Sequence, residues 1–111
     1  MYQYKAKLDR VVDGDTVYAH IDLGFHIWKR VNIRLYGIDA FESRTRDLEE
    51  KEKGLAAKER LIELLQANGN EFELISQGLD KYGRSLGTIL IGSMNVNETL
   101  ITEGHAEKYI I

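Results

Sequence analysis

The chain has 111 residues, enough for one domain (1–111), with 43% hydrophobic and 30% charged content, values of a globular rather than a disordered protein. It has no cysteine, which excludes a disulfide framework and a thiolate metal site and suits a reducing compartment. A net charge of −3 argues against a protein that grips long duplex nucleic acid by charge alone, since such proteins are basic. It leaves room for an enzyme that meets a phosphate briefly alongside a divalent cation.

Proline is absent throughout, so turns fall to glycine, asparagine and aspartate. The opening "MYQYKAKLDR" lacks the apolar centre of a signal peptide, and no apolar run reaches the length of a membrane span. As a whole product, the chain is expected to be soluble and cytoplasmic, with no membrane partner. "YQYKAKLDRVV" alternates, with Tyr4, Ala6 and Leu8 on one face and Lys5, Lys7 and Asp9 on the other, which predicts a half-buried strand. "DG" predicts a tight turn, followed by a second alternating run through Val17, Ala19 and Ile21. "FHIWKRVNIRLYGI" alternates again, setting Ile27, Lys29, Val31, Ile33 and Leu35 against Trp28, Arg30, Asn32, Arg34 and Tyr36. These three strands make a meander.

At Ser43 the texture changes. "SRTRDLEEKEKG" is highly charged and predicts a surface loop. "LAAKERLIELLQANG" then spaces Leu61, Ile62, Leu64 and Leu65 at helical period and stops at "NG", with Gly54 near the start of the helix. "NEFELISQG" and "RSLGTILIG" predict a fourth and a fifth strand. A short helix is predicted over 97–103, ended by Gly104. Five short strands with a helix between the third and fourth outline an OB-type barrel, an α+β fold that is mainly β.

Polar residues cluster at strand ends: "DGDT", then Arg34 with Asp39 and Glu42, then "DKYGR". Each has a bland reading. "DGDT" is a hairpin turn, and its surroundings are no EF-hand, because Val11 and His20 fall where oxygen ligands are needed. "DKYGR" is a turn in which Asp80 folds back on its own backbone. "NET" at Asn97 is a chance sequon match. Together the clusters supply what phosphodiester hydrolysis needs. Asp15 and Asp39 offer oxygen ligands to a hard cation. Glu42 offers a base for water. Arg34 and Arg84 offer guanidiniums that match phosphoryl oxygens two-pronged and stay charged.

"VVDGDTV", "RLYGIDAFE" and "DKYGRSLGTI" resemble, in order and spacing, the three signature motifs of the staphylococcal nuclease (thermonuclease) family, and "NVNETLITEGHA" is similar to the segment that follows them there. The resemblance covers nearly the whole chain and implies an OB-type barrel with helices. It implies that Asp15, Asp39 and the backbone carbonyl of Ala40 bind Ca²⁺, with Asp13 behind them. It further implies that Glu42 is the general base, that Arg34 and Arg84 bind and stabilise the phosphoryl group, and that Lys81 and Tyr82 lie near a terminal phosphate. The substrate implied is single-stranded DNA or RNA, cleaved to leave 3′-phosphates.

Three features depart from the family pattern. Phe41 stands where the family has proline, which frees the backbone between Asp39 and Glu42; its ring is expected to pack against the protein itself, the alternative being a nucleotide base. The sequence stops soon after the second helix, where the family continues into a third; the expectation is either lower stability or a homo-oligomer contact over the surface that helix would cover. The acidic balance predicts weak substrate capture. The alternative function is a non-catalytic nucleic-acid or protein-binding module on the same fold, or a metal-free single-strand binder in which Tyr18, Trp28, Tyr36 and Tyr82 line a positive groove.

Overall fold

The computed structural model describes residues 2–109. Strands β1 (Gln3–Asp13), β2 (Thr16–Asp22) and β3 (Trp28–Leu35) form the expected antiparallel meander. The alternation works as read over most of its length: Ala6, Val11, Val17, Ala19, Ile21, Ile33 and Leu35 are buried, because side chains two apart share a sheet face. Ile27 is the exception; it stands exposed in the β2–β3 turn.

β4 (Ile38–Ala40), α1 (Leu48–Gln66), β5 (Glu71–Leu79), β6 (Ser85–Ile91), β7 (Met94–Asn95), α2 (Val96–Thr102) and β8 (Ala106–Lys108) complete the order. β5 pairs with β1 and with β6. A parallel pairing of β3 with β6, Ile33 opposite Ser85 and Leu35 opposite Gly87, then closes five strands into an OB-type barrel. α1 lays Leu61, Leu64 and Leu65 into the core that Ile33, Leu35, Ile38, Ile89, Val96 and Leu100 share. No helix among the described residues is long and apolar enough to cross a membrane.

Two readings of the sequence are corrected, and short strands that it did not mark are added. Residues 48–54 are helix, not loop: Asp47 caps α1, its Oδ1 accepting from the Glu49 and Glu50 nitrogens at 3.0 and 3.2 Å. Glu49 and Glu50 lie in the first turn, where their charge suits the helix dipole. Gly54 is therefore inside the helix, at a propensity cost of about 1 kcal/mol. Its reason is contact: a Cβ there would lie 2.2 Å from the Glu42 carbonyl oxygen.

The first turn also differs. Asp13 and Thr16 pair, so the loop residues are Gly14 and Asp15, and neither has the positive φ that an Asp-Gly hairpin requires. A Cβ on Gly14 would stand 2.7 Å from the Ala57 Cβ, so here too glycine serves a close approach to α1. Finally, β4 and β8 pair with each other, Asp39 opposite Glu107; at three residues each they are too short for alternation to reveal.

Candidate active site

The barrel's closure brings the three polar clusters to one rim. β2 meets β3 with Thr16 opposite Arg34, and the Leu35 nitrogen donates to the Asp15 carbonyl at 2.7 Å. β3 meets β6 with Arg34 opposite Leu86, two residues beyond Arg84. The Ala40 nitrogen donates to Asp15 Oδ2 at 2.9 Å, which ties the Asp39 segment to the first turn. Asp13, Asp15, Arg34, Asp39, Ala40, Glu42 and Arg84 consequently line one cleft of about 230 Å³.

Arg34 is its centre. Its Nη1 lies 3.1 Å from Asp15 Oδ2, and its Nη2 lies 3.4 Å from Asp39 Oδ1. One cation thus compensates two carboxylates. Asp15 is only 8% exposed, and its Oδ1 also accepts from the Thr16 hydroxyl at 2.9 Å, so its orientation is fixed. Asp39 is open to solvent. Asp13 stands behind, accepting from the Ser43 hydroxyl and lying 3.6 Å from Arg44 Nη2.

Arg84 is held by its own turn. Asp80 Oδ1 accepts from the Tyr82 and Arg84 nitrogens at 2.9 and 2.8 Å, and Oδ2 accepts from Arg84 Nε at 2.6 Å. The fold-back expected of Asp80 is what forms. Burial pushes the Asp80 carboxyl up, but the Arg84 and Tyr82 hydrogen bonds and the guanidinium outweigh it and hold the group below the ordinary carboxylate range. With Nε engaged, the two Nη groups of Arg84 remain for a ligand.

Lys81 and Tyr82 lie apart from the acidic cleft. They line a neighbouring one of about 380 Å³ that shares Arg34, Asp39 and Arg84 with the first. Tyr109 lines it too; nothing in the sequence marked that residue, because it arrives through the β4–β8 pairing, its nitrogen donating to the Gly37 carbonyl at 2.9 Å. Ser43, read as part of a solvated loop, is buried and bonds Asp13, while Arg44 stays exposed as read. Phe41 is half-buried: Lys53 Nζ lies 5.2 Å from its ring centre, and the residue also lines the acidic cleft. The sequon is chance, for Asn97 is buried.

The donor set suits an oxygen-seeking cation. Asp15 and Asp39 already face one cation in common, the Arg34 guanidinium. It is also a sparse set: among the described residues no three acidic, histidine or cysteine side chains gather into a metal cage. Ca²⁺ takes six to eight oxygens, so water and ligand would supply most of the shell.

Residues 32–111 match the family described as staphylococcal nuclease homologue. The chain is 31% identical over 116 residues to Endonuclease YhcR of Bacillus subtilis (strain 168), covering 98% of this chain and 9% of that one. It is 31% identical over 100 residues to the thermonuclease of Staphylococcus hyicus, covering 90% and 56%. To the uncharacterized protein MJ1439 of Methanocaldococcus jannaschii it is 33% identical over 132 residues, covering 96% and 60%. It spans less than two thirds of the length of each.

Proposed function

The chain belongs to the staphylococcal nuclease family, and from that premise we propose that it is a Ca²⁺-dependent nuclease of single-stranded DNA or RNA. The observation that carries the reading is the Arg34 guanidinium between Asp15 and Asp39, in a cleft that Glu42 and Arg84 also line. Paired arginines beside an oxygen-donor set suit a phosphodiester whose charge grows in the transition state.

In this proposal Asp15, Asp39 and the Ala40 carbonyl would hold Ca²⁺, which would supply positive charge to the phosphate and to a nearby water. Arg34 would offer its Nη groups to the phosphoryl oxygens. Glu42 takes a proton from water as the water oxygen bonds to phosphorus. The P–O5′ bond breaks on the opposite side, and Arg84 stabilises the charge that reaches the leaving oxygen, which then takes a proton from solvent water. The products are a 3′-phosphate and a 5′-hydroxyl. Lys81 and Tyr82 hold the end of the nucleotide in the neighbouring cleft.

Glu42→Gln tests the reading. It keeps affinity for a single-stranded oligonucleotide and lowers kcat by about 10²–10⁴-fold, the usual worth of a positioned base. Unchanged kcat would remove Glu42 from the role. A folded wild-type chain that binds the oligonucleotide and never cuts it would make this a binding module.

A further inference from the structure

Asp13 is a largely buried carboxylate that the proposed chemistry leaves without a task. Its side chain is 14% exposed, and it reaches the cleft from the end of β1. Its contacts run to the segment after β4. Oδ1 accepts from the Ser43 hydroxyl and, at 3.4 Å, from the Ser43 nitrogen. Oδ2 lies 3.6 Å from Nη2 of the exposed Arg44. Ser43 is itself buried and lies outside the lining of the cleft.

The same turn holds that segment a second time, through Asp15 Oδ2 and the Ala40 nitrogen at 2.9 Å. Two aspartates two residues apart thus grip one stretch of backbone at Ala40 and at Ser43. Phe41 and Glu42 are the residues between the grips. The turn cannot drift, because Gly14, between the two aspartates, sits so close to α1 that a Cβ there would stand 2.7 Å from the Ala57 Cβ. Residue type supplies no such restraint: β4 ends at Ala40, and neither Phe41 nor Glu42 fixes φ as a proline does. Stability alone would be served as well by apolar packing, since desolvation of a buried carboxylate offsets much of what its bonds contribute.

We propose that Ser43 is a positioning residue for the base: clasped by Asp13, it fixes the backbone next to Glu42 and so keeps the Glu42 carboxylate at the cleft. Asp13 then serves the base rather than the cation, a different task from the one the family resemblance implies. The role rests on the nuclease reading for what Glu42 does.

Ser43→Ala removes the hydroxyl and leaves every residue lining the cleft in place. With Ca²⁺, kcat on single-stranded DNA should fall about 10–10²-fold, the upper figure being the cost of a displacement of about 1 Å at a catalytic group. KM should stay unchanged, as should the rise in Tm that Ca²⁺ and oligonucleotide produce together. Trypsin reads the clasp without catalysis or metal. Arg44 and Arg46 follow Ser43 closely, so in EDTA the variant should be cut there about tenfold faster than wild type, the worth of one charged hydrogen bond in a local opening. Cutting at Arg60, inside α1, should keep its wild-type rate, which separates local loosening from global unfolding.

Two further variants approach the clasp from other sides. Asp13→Ala removes the acceptor; it should lose as much kcat as Ser43→Ala, and the two together no more than either alone. Phe41→Pro restrains the same backbone by another route, and Ala40, in β4, already has the extended backbone that a following proline requires. Added to Ser43→Ala, it should restore most of the lost kcat and slow the tryptic cut. Wild-type kcat or a wild-type tryptic rate in Ser43→Ala would overturn the proposal. So would losses from Asp13→Ala and Ser43→Ala that multiply, because Asp13 would then act on something other than Ser43. The nuclease reading fails separately: a folded wild type that never cuts DNA removes the enzyme, while the trypsin rates still decide the clasp.

Discussion

Gly54→Ala places a methyl carbon 2.2 Å from the Glu42 carbonyl oxygen and 2.5 Å from the Ser43 nitrogen, where ordinary contact begins at 3.4 Å. Both neighbours are backbone, so no side chain can rotate away. The Glu42–Ser43 segment or the helix must move by about 1 Å. Overpacking of this kind costs about 1–3 kcal/mol, while alanine recovers about 1 kcal/mol of helix propensity. The net loss of stability should therefore stay within about 2 kcal/mol. Activity should suffer far more, because a displacement of about 1 Å at a catalytic group costs on the order of 10²-fold. The assay pairs urea unfolding with kcat on single-stranded DNA, with Glu59→Ala on the exposed face of α1 as the control. A Gly54→Ala protein that is about 1 kcal/mol more stable and fully active would refute the view that α1 braces the base.

Asn97 links α2 to the barrel. It accepts from the Ile89 nitrogen and donates to the Tyr36 and Gly87 carbonyls at 2.9–3.1 Å. Asn97→Ala should cost about 3 kcal/mol, since each buried group left unpaired costs about 1–3, and the urea midpoint reads it. The Asp80 clamp has a defined pH dependence. Its folded pKa is depressed, so its stabilisation is present above the ordinary aspartate value of about 3.9 and is lost as pH falls through the lower folded value. Stability curves of wild type and Asp80→Asn should differ above pH 5 and converge at the acid end; a constant gap would contradict the assignment. Ca²⁺ alone should bind weakly to so sparse a donor set, raising Tm little at millimolar concentration and more when an oligonucleotide is also present; a large shift with Ca²⁺ alone would mean that the chain supplies more ligands than Asp15, Asp39 and Ala40.

Alternation and polar clusters made much of this legible in the sequence. The inward residues of β1–β3 follow period two, and Asp15, Arg34 and Arg84 stand at the strand ends that the barrel closure gathers. What stayed hidden depends on contacts between distant segments. Gly54 reads locally as a residue near the start of the helix and structurally as the glycine that lets α1 approach the Glu42 backbone. Leu48–Lys53 reads as a charged loop because this turn of the helix buries none of its side chains, although Asp47 followed by Glu49 and Glu50 is a capping signal. β4 and β8 carry no periodicity of their own, so Tyr109 had no visible route to the site. Gly14 looked like a turn glycine and is a packing glycine.

The central claim is cleavage at the Arg34 cleft under Ca²⁺. Its most direct measurement is hydrolysis of single-stranded DNA with Ca²⁺, with EGTA and with Mg²⁺ in its place, by wild type and by Arg84→Ala. Wild type should cut with Ca²⁺ only and leave 3′-phosphate ends, and the variant should lose most turnover. Cutting that persists in EGTA or survives Arg84→Ala, or a folded wild type that never cuts, would contradict it.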